Sequence, residues 1–171
     1  MHPDLLTARA ARRTHLQELV RLATDVPAPR WALPSPNPGW SCHDLVAHLA
    51  TGDWAMHRLL HAALAGDNLT ATWDAIDFAA GNAAQLAGLR AAPTAAVVVA
   101  AQRQCAATER MWEQLTEPHL RLELPHWAGG VTTVRAYLQT FAGHDRGHLD
   151  QLRTALTAGE DGVGSAAPHP R

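Results

Sequence analysis

A chain of 171 residues with 47% in the hydrophobic class is long enough for one well-buried core and short for two. Ala and Leu dominate that fraction and aromatics make up only 5%, a balance that suits helices and argues against a sheet. The formal charge of -2 excludes the basic footprint of a nucleic-acid binder, and all 14 basic residues are arginine, which rules out lysine-dependent Schiff-base and P-loop chemistry.

Serine occurs only at 35, 41 and 165, never in a G-x-S-x-G context, so a serine hydrolase is also excluded. Cys42 and Cys105 are too few for a disulfide framework. No signal-peptide pattern opens the chain, and the longest purely apolar run, Ala95 to Ala101, is far below the roughly 18 residues of a membrane span. The expectation is a cytoplasmic protein with neither membrane nor nucleic acid as partner.

In chain order, a first helix is expected after Pro3 and Asp4, running to about Thr24, where Leu5, Leu6, Leu16, Leu19, Val20 and Ala23 recur at helical spacing. Prolines 27, 29, 34, 36 and 38 then predict an extended connection from Asp25 to Gly39. A second helix opens with a full start signal, Ser41 as cap, Asp44 returning a bond to it, and Trp40 poised to pack on Leu45; it is expected to run to Gly66. His48 falls on its apolar face with Leu45, Gly52, Ala55, Met56 and Leu59. A shorter, less regular helix is expected within Thr72 to Arg90.

Pro93 and Thr94 start a long helix to about Glu117, whose Val98, Ala101, Cys105, Thr108, Trp112 and Leu115 form a bundle seam. The alternation Leu120, Leu122, Leu124 suggests a short extended strip, ended by Pro125 and the Gly129-Gly130 pair. A last helix is expected from Thr132 or Thr133 to Ala158, with Gly159 as its stop. Residues 1–158 are expected to form a single four-helix domain and 159–171 a flexible tail.

The last helix carries the residues of most chemical interest. His144 and His148, four apart, project from one face among Val134, Tyr137, Leu138, Phe141 and Leu152, so imidazoles interrupt an apolar stripe. Buried imidazoles need partners, and His48 on a neighbouring helix supplies the third ligand of a divalent-metal site. With 11 histidines a pair at this spacing arises about once by chance, and His57/His61 is a second such pair. That pair lies on the side away from His48. Three neutral imidazoles leave the ion's charge on its open position, where a water or a thiol becomes a nucleophile; Zn, Ni and Fe all suit such ligands. Gly143 and Gly147, costly in a helix interior, suggest close helix approach or room for a ligand. Asp53 and Asp145 are candidates to orient a ring N–H of the histidines, but both are displaced from the ligand face and are expected to be solvated charges.

Taken together, Gly39-Trp40-Ser41-x-x-Asp44-Leu45-x-x-His48-Leu49, Thr133-Val134-x-x-Tyr137-Leu138 and His144-Asp145-x-x-His148-x-x-Gln151-Leu152 resemble the DinB/YfiT-like superfamily of damage-inducible-type metalloproteins. The resemblance spans residues 4 to 158. It implies an all-α, up-down-down-up four-helix bundle, often dimeric, with a divalent metal on three histidines that map onto His48, His144 and His148. It also implies chemistry on a small-molecule substrate, in some relatives with a low-molecular-weight thiol such as bacillithiol, mycothiol or glutathione. The alternative is a non-catalytic metal-binding or stress-response interaction protein. The maleylpyruvate isomerases of that superfamily carry a carboxylate where this chain has His144, a departure from the isomerase pattern.

Cys42, in the first turn of a helix and next to His43, is the competing nucleophile. Cys105 is expected to be a small core hydrophobe. Trp127 and His126 precede the final helix and are candidates for a pocket mouth. Trp54, His57 and His61 form a mixed aromatic and imidazole surface that suggests a homodimer interface, the alternative being that Trp54 packs inside the bundle.

Overall fold

Capping chemistry sets most helix boundaries in the computed structural model, which describes residues 1–161. A short 3-10 turn at Pro3–Leu5 leads into α1 (Leu6–Asp25). Ser41 opens α2 (Cys42–Thr51): its hydroxyl accepts from the Asp44 amide, and the Asp44 carboxylate accepts from the Ser41 amide at 3.0 Å. α3 (Trp54–Ala65) ends at Gly66, whose φ of 77° is the left-handed conformation that closes a helix without Cβ strain. Asn68 caps α4 (Leu69–Asp74) and Asp77 caps α5 (Phe78–Leu89). α6 (Thr94–Gln114), α7 (Glu117–Arg121), β1 (Glu123–Pro125), β2 (Val131–Thr133) and α8 (Val134–Asp161) complete the described chain.

Several expected boundaries move. The Pro-rich connection contains a 3-10 helix at Ala28–Ala32, because a proline in the first turn has no amide to lose. The second helix is interrupted at Gly52-Asp53, which turns the Asp53 carboxylate inward onto Arg12 and Thr108. The single irregular helix after it is two, α4 and α5. The strip at Leu120–Leu124 begins as helix, since Thr116 caps α7, and becomes strand only at Glu123, where β1 pairs antiparallel with β2. α8 continues through Gly159 to Asp161, so that glycine is no stop. Positions 162–171 of the expected tail lie outside the described residues.

Ion pairs give the helix directions. Asp4–Arg135, Arg12–Asp145 and Glu18–Arg153 climb together along α1 and α8, so these two helices are parallel. Arg9 and Arg13 meet Glu109 late in α6, which therefore runs against α1. His43–Thr94 and His57–Thr108 climb together, so α2–α3 and α6 are parallel. The bundle is up-down-down-up, as the resemblance implies, and all-α apart from the small β1–β2 hairpin.

Its interior is divided. One apolar cluster, around Met56, Leu60, Trp112 and Leu138, fills one end; another, around Leu45, Val46, Val97 and Leu152, fills the other. Between them lies a polar layer to which α1, α2–α3, α6 and α8 all contribute. No described helix is long and apolar enough to cross a membrane.

Candidate metal centre

His48 sits in the last turn of α2 and is 7% exposed, while His144 and His148 lie one turn apart on α8, each half-buried. The antiparallel crossing of these helices brings the three rings together. His144 Nε2 lies 3.4 Å from His48 Nε2 and 3.1 Å from His148 Nε2. Nitrogens bound to one tetrahedral ion at about 2.0–2.1 Å are about 3.3 Å apart, close to these two separations, and all three nitrogens lie within 4.8 Å of one another.

The protonation pattern agrees with that use. His148 Nδ1 donates to Gln151 Oε1 at 2.9 Å, and His144 Nδ1 faces Asp145 Oδ1 at a longer 3.4 Å, which leaves both Nε2 lone pairs pointing to the centre. Burial, assisted by the neighbouring His148 and His144, lowers the His48 pKa to about 4. Burial also lowers that of His148, against the hydrogen bond to Gln151. Both rings are therefore neutral at pH 7, the form in which imidazole binds a metal. Trp40 does not serve only as a staple residue: its ring covers His48, with centroids 5.1 Å apart.

A cavity of about 240 Å³ opens beside His48 and His144. Gly52 lies on its wall, where an added Cβ would meet the ring carbons of His48 at 3.7 Å and His144 at 3.8 Å. Ala55 lines it too. Gly143 and Gly147 do not, and a Cβ on either would find nothing within 4 Å, so neither close helix approach nor ligand space explains them. Trp127, at the hairpin tip, joins the cavity mouth; His126 instead turns back to accept from the Ala128 amide.

Of the two carboxylates expected in solvent, Asp53 is buried and Asp145 half-buried. Asp53, 2% exposed, accepts from Arg12 at 2.6 Å and from the Thr108 hydroxyl at 2.5 Å. Asp145 lies between Arg12 and His144. Burial alone would lower the Arg12 pKa, but Asp53 and Asp145 outweigh it and raise it. His57 extends this layer: its Nε2 donates to Thr108 at 2.7 Å and its Nδ1 faces the Gln104 amide at 3.4 Å.

The surface suggested for a dimer is thus largely spent inside the chain. Trp54 packs on α5 and His57 on α6, leaving only His61 exposed. Cys42 is fully buried, and burial pushes its thiol pKa up, the reverse of an activated nucleophile. Its neighbour His43 is occupied by Thr94 and the Leu89 carbonyl. Cys105 is a buried core residue, as expected.

Residues 12–145 match the family described as the mycothiol maleylpyruvate isomerase N-terminal domain. Among solved structures, the fold is similar to the mycothiol-dependent maleylpyruvate isomerase, with a TM-score of 0.69 and 17% identity over 89% of this chain and 63% of that one. A mutant of that isomerase gives a TM-score of 0.67 at 16% identity, over 88% of this chain and 63% of the other. YfiT from Bacillus subtilis, described as a probable metal-dependent hydrolase with an unusual four-helix bundle topology, gives 0.66 at 13% identity over 91% of this chain and 86% of its own. The chain thus spans under two thirds of the isomerase's length. No curated protein matches.

Proposed function

We propose that this chain, which belongs to the mycothiol maleylpyruvate isomerase N-terminal domain family within the DinB/YfiT-like superfamily, holds one divalent metal ion on His48, His144 and His148. On this reading it uses the ion for thiol transfer to, or hydrolysis of, a small electrophilic substrate. The observation that carries the reading is the convergence of three imidazole nitrogens within 4.8 Å of one another beside an open cavity. No fourth His, Cys, Asp or Glu joins the group among the described residues, so the ligand set leaves room for a reactant.

An ion with three neutral ligands supplies a Lewis acid that makes a water or a thiol nucleophilic at neutral pH. The chain's own residues do the positioning. Gln151 fixes the tautomer and tilt of His148, Asp145 does the same for His144, and Arg12 holds Asp145 in turn. Trp40 packs against the His48 ring at a tilt and helps hold it in place.

The mycothiol dependence of the similar isomerase supports a thiol as co-substrate, and the hydrolase description of YfiT supports water. The test is a screen of the metal-loaded chain with low-molecular-weight thiols and an electrophile, beside simple esters and amides. Turnover that requires thiol selects transfer, and turnover without it selects hydrolysis. A loaded chain inert in every arm is a non-catalytic metal protein, and a chain that takes up no stoichiometric divalent ion overturns the proposal.

A further inference from the structure

The cavity beside His48 and His144 is walled mainly by aromatic rings. Trp54, Phe78, Trp127, Tyr137 and Phe141 line it, as two groups of touching rings, Trp54 with Phe78 and Trp127 with Tyr137 and Phe141, which Trp73 joins from behind. Trp54 meets Phe78 at 6.1 Å between centroids, Tyr137 meets Trp127 at 5.6 Å and Phe141 at 6.1 Å, and Phe141 lies 5.2 Å from the His144 ring. The rings meet tilted or edge-on rather than stacked face to face, so these contacts do not use up whole ring faces.

The wall is also held in place. Gly81 lets Trp54 lie against α5, since a Cβ there would fall 2.2 Å from the indole. Trp54 Nε1 donates to Asn82 Oδ1 at 3.0 Å, which fixes the amide orientation and leaves the Asn82 N–H groups as neutral donors.

Charge is missing from this wall. The chain has no lysine, and none of its described arginines lines the cavity. Arg12 stacks on Phe141 at 5.4 Å, but Asp53 and Asp145 neutralise it and it does not line the cavity. An anionic substrate would give up its hydration there and meet no fixed counter-charge except the metal itself. A planar apolar guest loses nothing of the kind, and the volume of about 240 Å³ has room for one. An apolar cavity of about 150 Å³ is enough for benzene.

We infer that the site takes a neutral aromatic substrate of one or two fused rings, held between Trp54, Phe78, Trp127, Tyr137 and Phe141, and discriminates against carboxylic acids of the same shape. This rests on the proposed function for the role of the three histidines, but the binding preference resides in the walls and is measurable without metal.

The probes are 2-naphthol and 2-naphthoate, which share a ring system and differ in charge, titrated by tryptophan fluorescence and calorimetry into the metal-free full chain at pH 7.5. The expected result is at least about tenfold tighter binding of the neutral compound, because the carboxylate desolvation is not repaid. Phe78→Ala and Trp127→Ala, both at partly exposed positions and checked for helix content by circular dichroism, should each weaken 2-naphthol about three- to tenfold. Equal or tighter binding of 2-naphthoate, no detectable binding of 2-naphthol, or indifference of both variants overturns the inference. Preference for 2-naphthol in a chain that never loads a divalent ion would remove the metal reading and leave this one standing.

Discussion

Arg12 and Asp53 meet at 2.6 Å between the two halves of the hydrophobic core, with side chains only 8% and 3% exposed. Asp145 shares the guanidinium and Thr108 shares the Asp53 carboxylate. Loss of one member leaves the other in the interior with only its weaker partner, Thr108 for Asp53 or Asp145 for Arg12, at a cost approaching that of a broken buried pair, about 3–5 kcal/mol. Arg12→Met should therefore lower the unfolding free energy in urea by about that amount. The double variant Arg12→Met/Asp53→Leu should recover most of it, and equal losses in the single and double variants would show that the pair is not the cause.

Metal uptake should depend on three histidines out of 11. His48→Ala, His144→Ala and His148→Ala should each abolish stoichiometric binding of a divalent ion, whereas His61→Ala, at an exposed position, should retain it. Gln151→Leu removes only the partner of His148 Nδ1 and should weaken affinity about 10- to 100-fold. Elemental analysis after dialysis gives the stoichiometry, and competition with a chelator gives the affinity.

Acid should destabilise the metal-free protein well above the carboxylate range. Burial holds His15, His48, His57 and His148 below the ordinary imidazole value of 6.5, His48 at about 4. The unfolded chain takes up protons that the folded chain refuses, so the stability these rings permit is complete above pH 6.5 and is lost as pH falls toward about 4. Urea midpoints measured with chelator should be lower at pH 5 than at pH 7.5. A flat profile over that interval would mean that these imidazoles are as easily protonated in the folded protein as in the unfolded one.

Two glycine substitutions should move stability in opposite directions. Alanine at 147 meets nothing within 4 Å and removes a helix-interior glycine, so Gly147→Ala should stabilise by up to about 1 kcal/mol. Gly81→Ala gains the same propensity but drives a methyl to 2.2 Å from Trp54. Overpacking of this kind costs about 1–3 kcal/mol, so the net effect should be destabilising, with a shifted tryptophan emission. Thermal melts of the two variants decide the signs.

The bundle and the three histidines were legible because their information is periodic. His48 shares a face with Leu45 and Met56, and His144 and His148 share one with Phe141 and Leu152, so helical spacing alone placed them inward. The polar layer was not legible. Asp53 and Asp145 look like surface charges within their own helices, and the residue that draws them inward, Arg12, is 41 positions from Asp53 in sequence. The same distance effect hid the break at Gly52-Asp53, since the chain departs from regular helix there to deliver Asp53 to partners on α1 and α6. Gly143 and Gly147 misled for the opposite reason: helix propensity registers their cost, but no neighbour in space accounts for it.

The parallel pairing of α1 with α8 has a consequence for how the chain reaches this state. The Arg135–Asp4 bond joins residues 131 positions apart, and the pairs above it, Arg12–Asp145 and Glu18–Arg153, are more remote still. Contacts so distant in sequence form only after loop-closure entropy has been met, which makes them slow. During synthesis α1 emerges well before α8, the parallel partner it packs against and the last described element. His144 and His148 ride on that element. Docking of α8 therefore closes the bundle and delivers two of the three imidazoles to His48 in a single event, and a nascent chain stalled before Val134 would carry neither a complete core nor the histidine cluster.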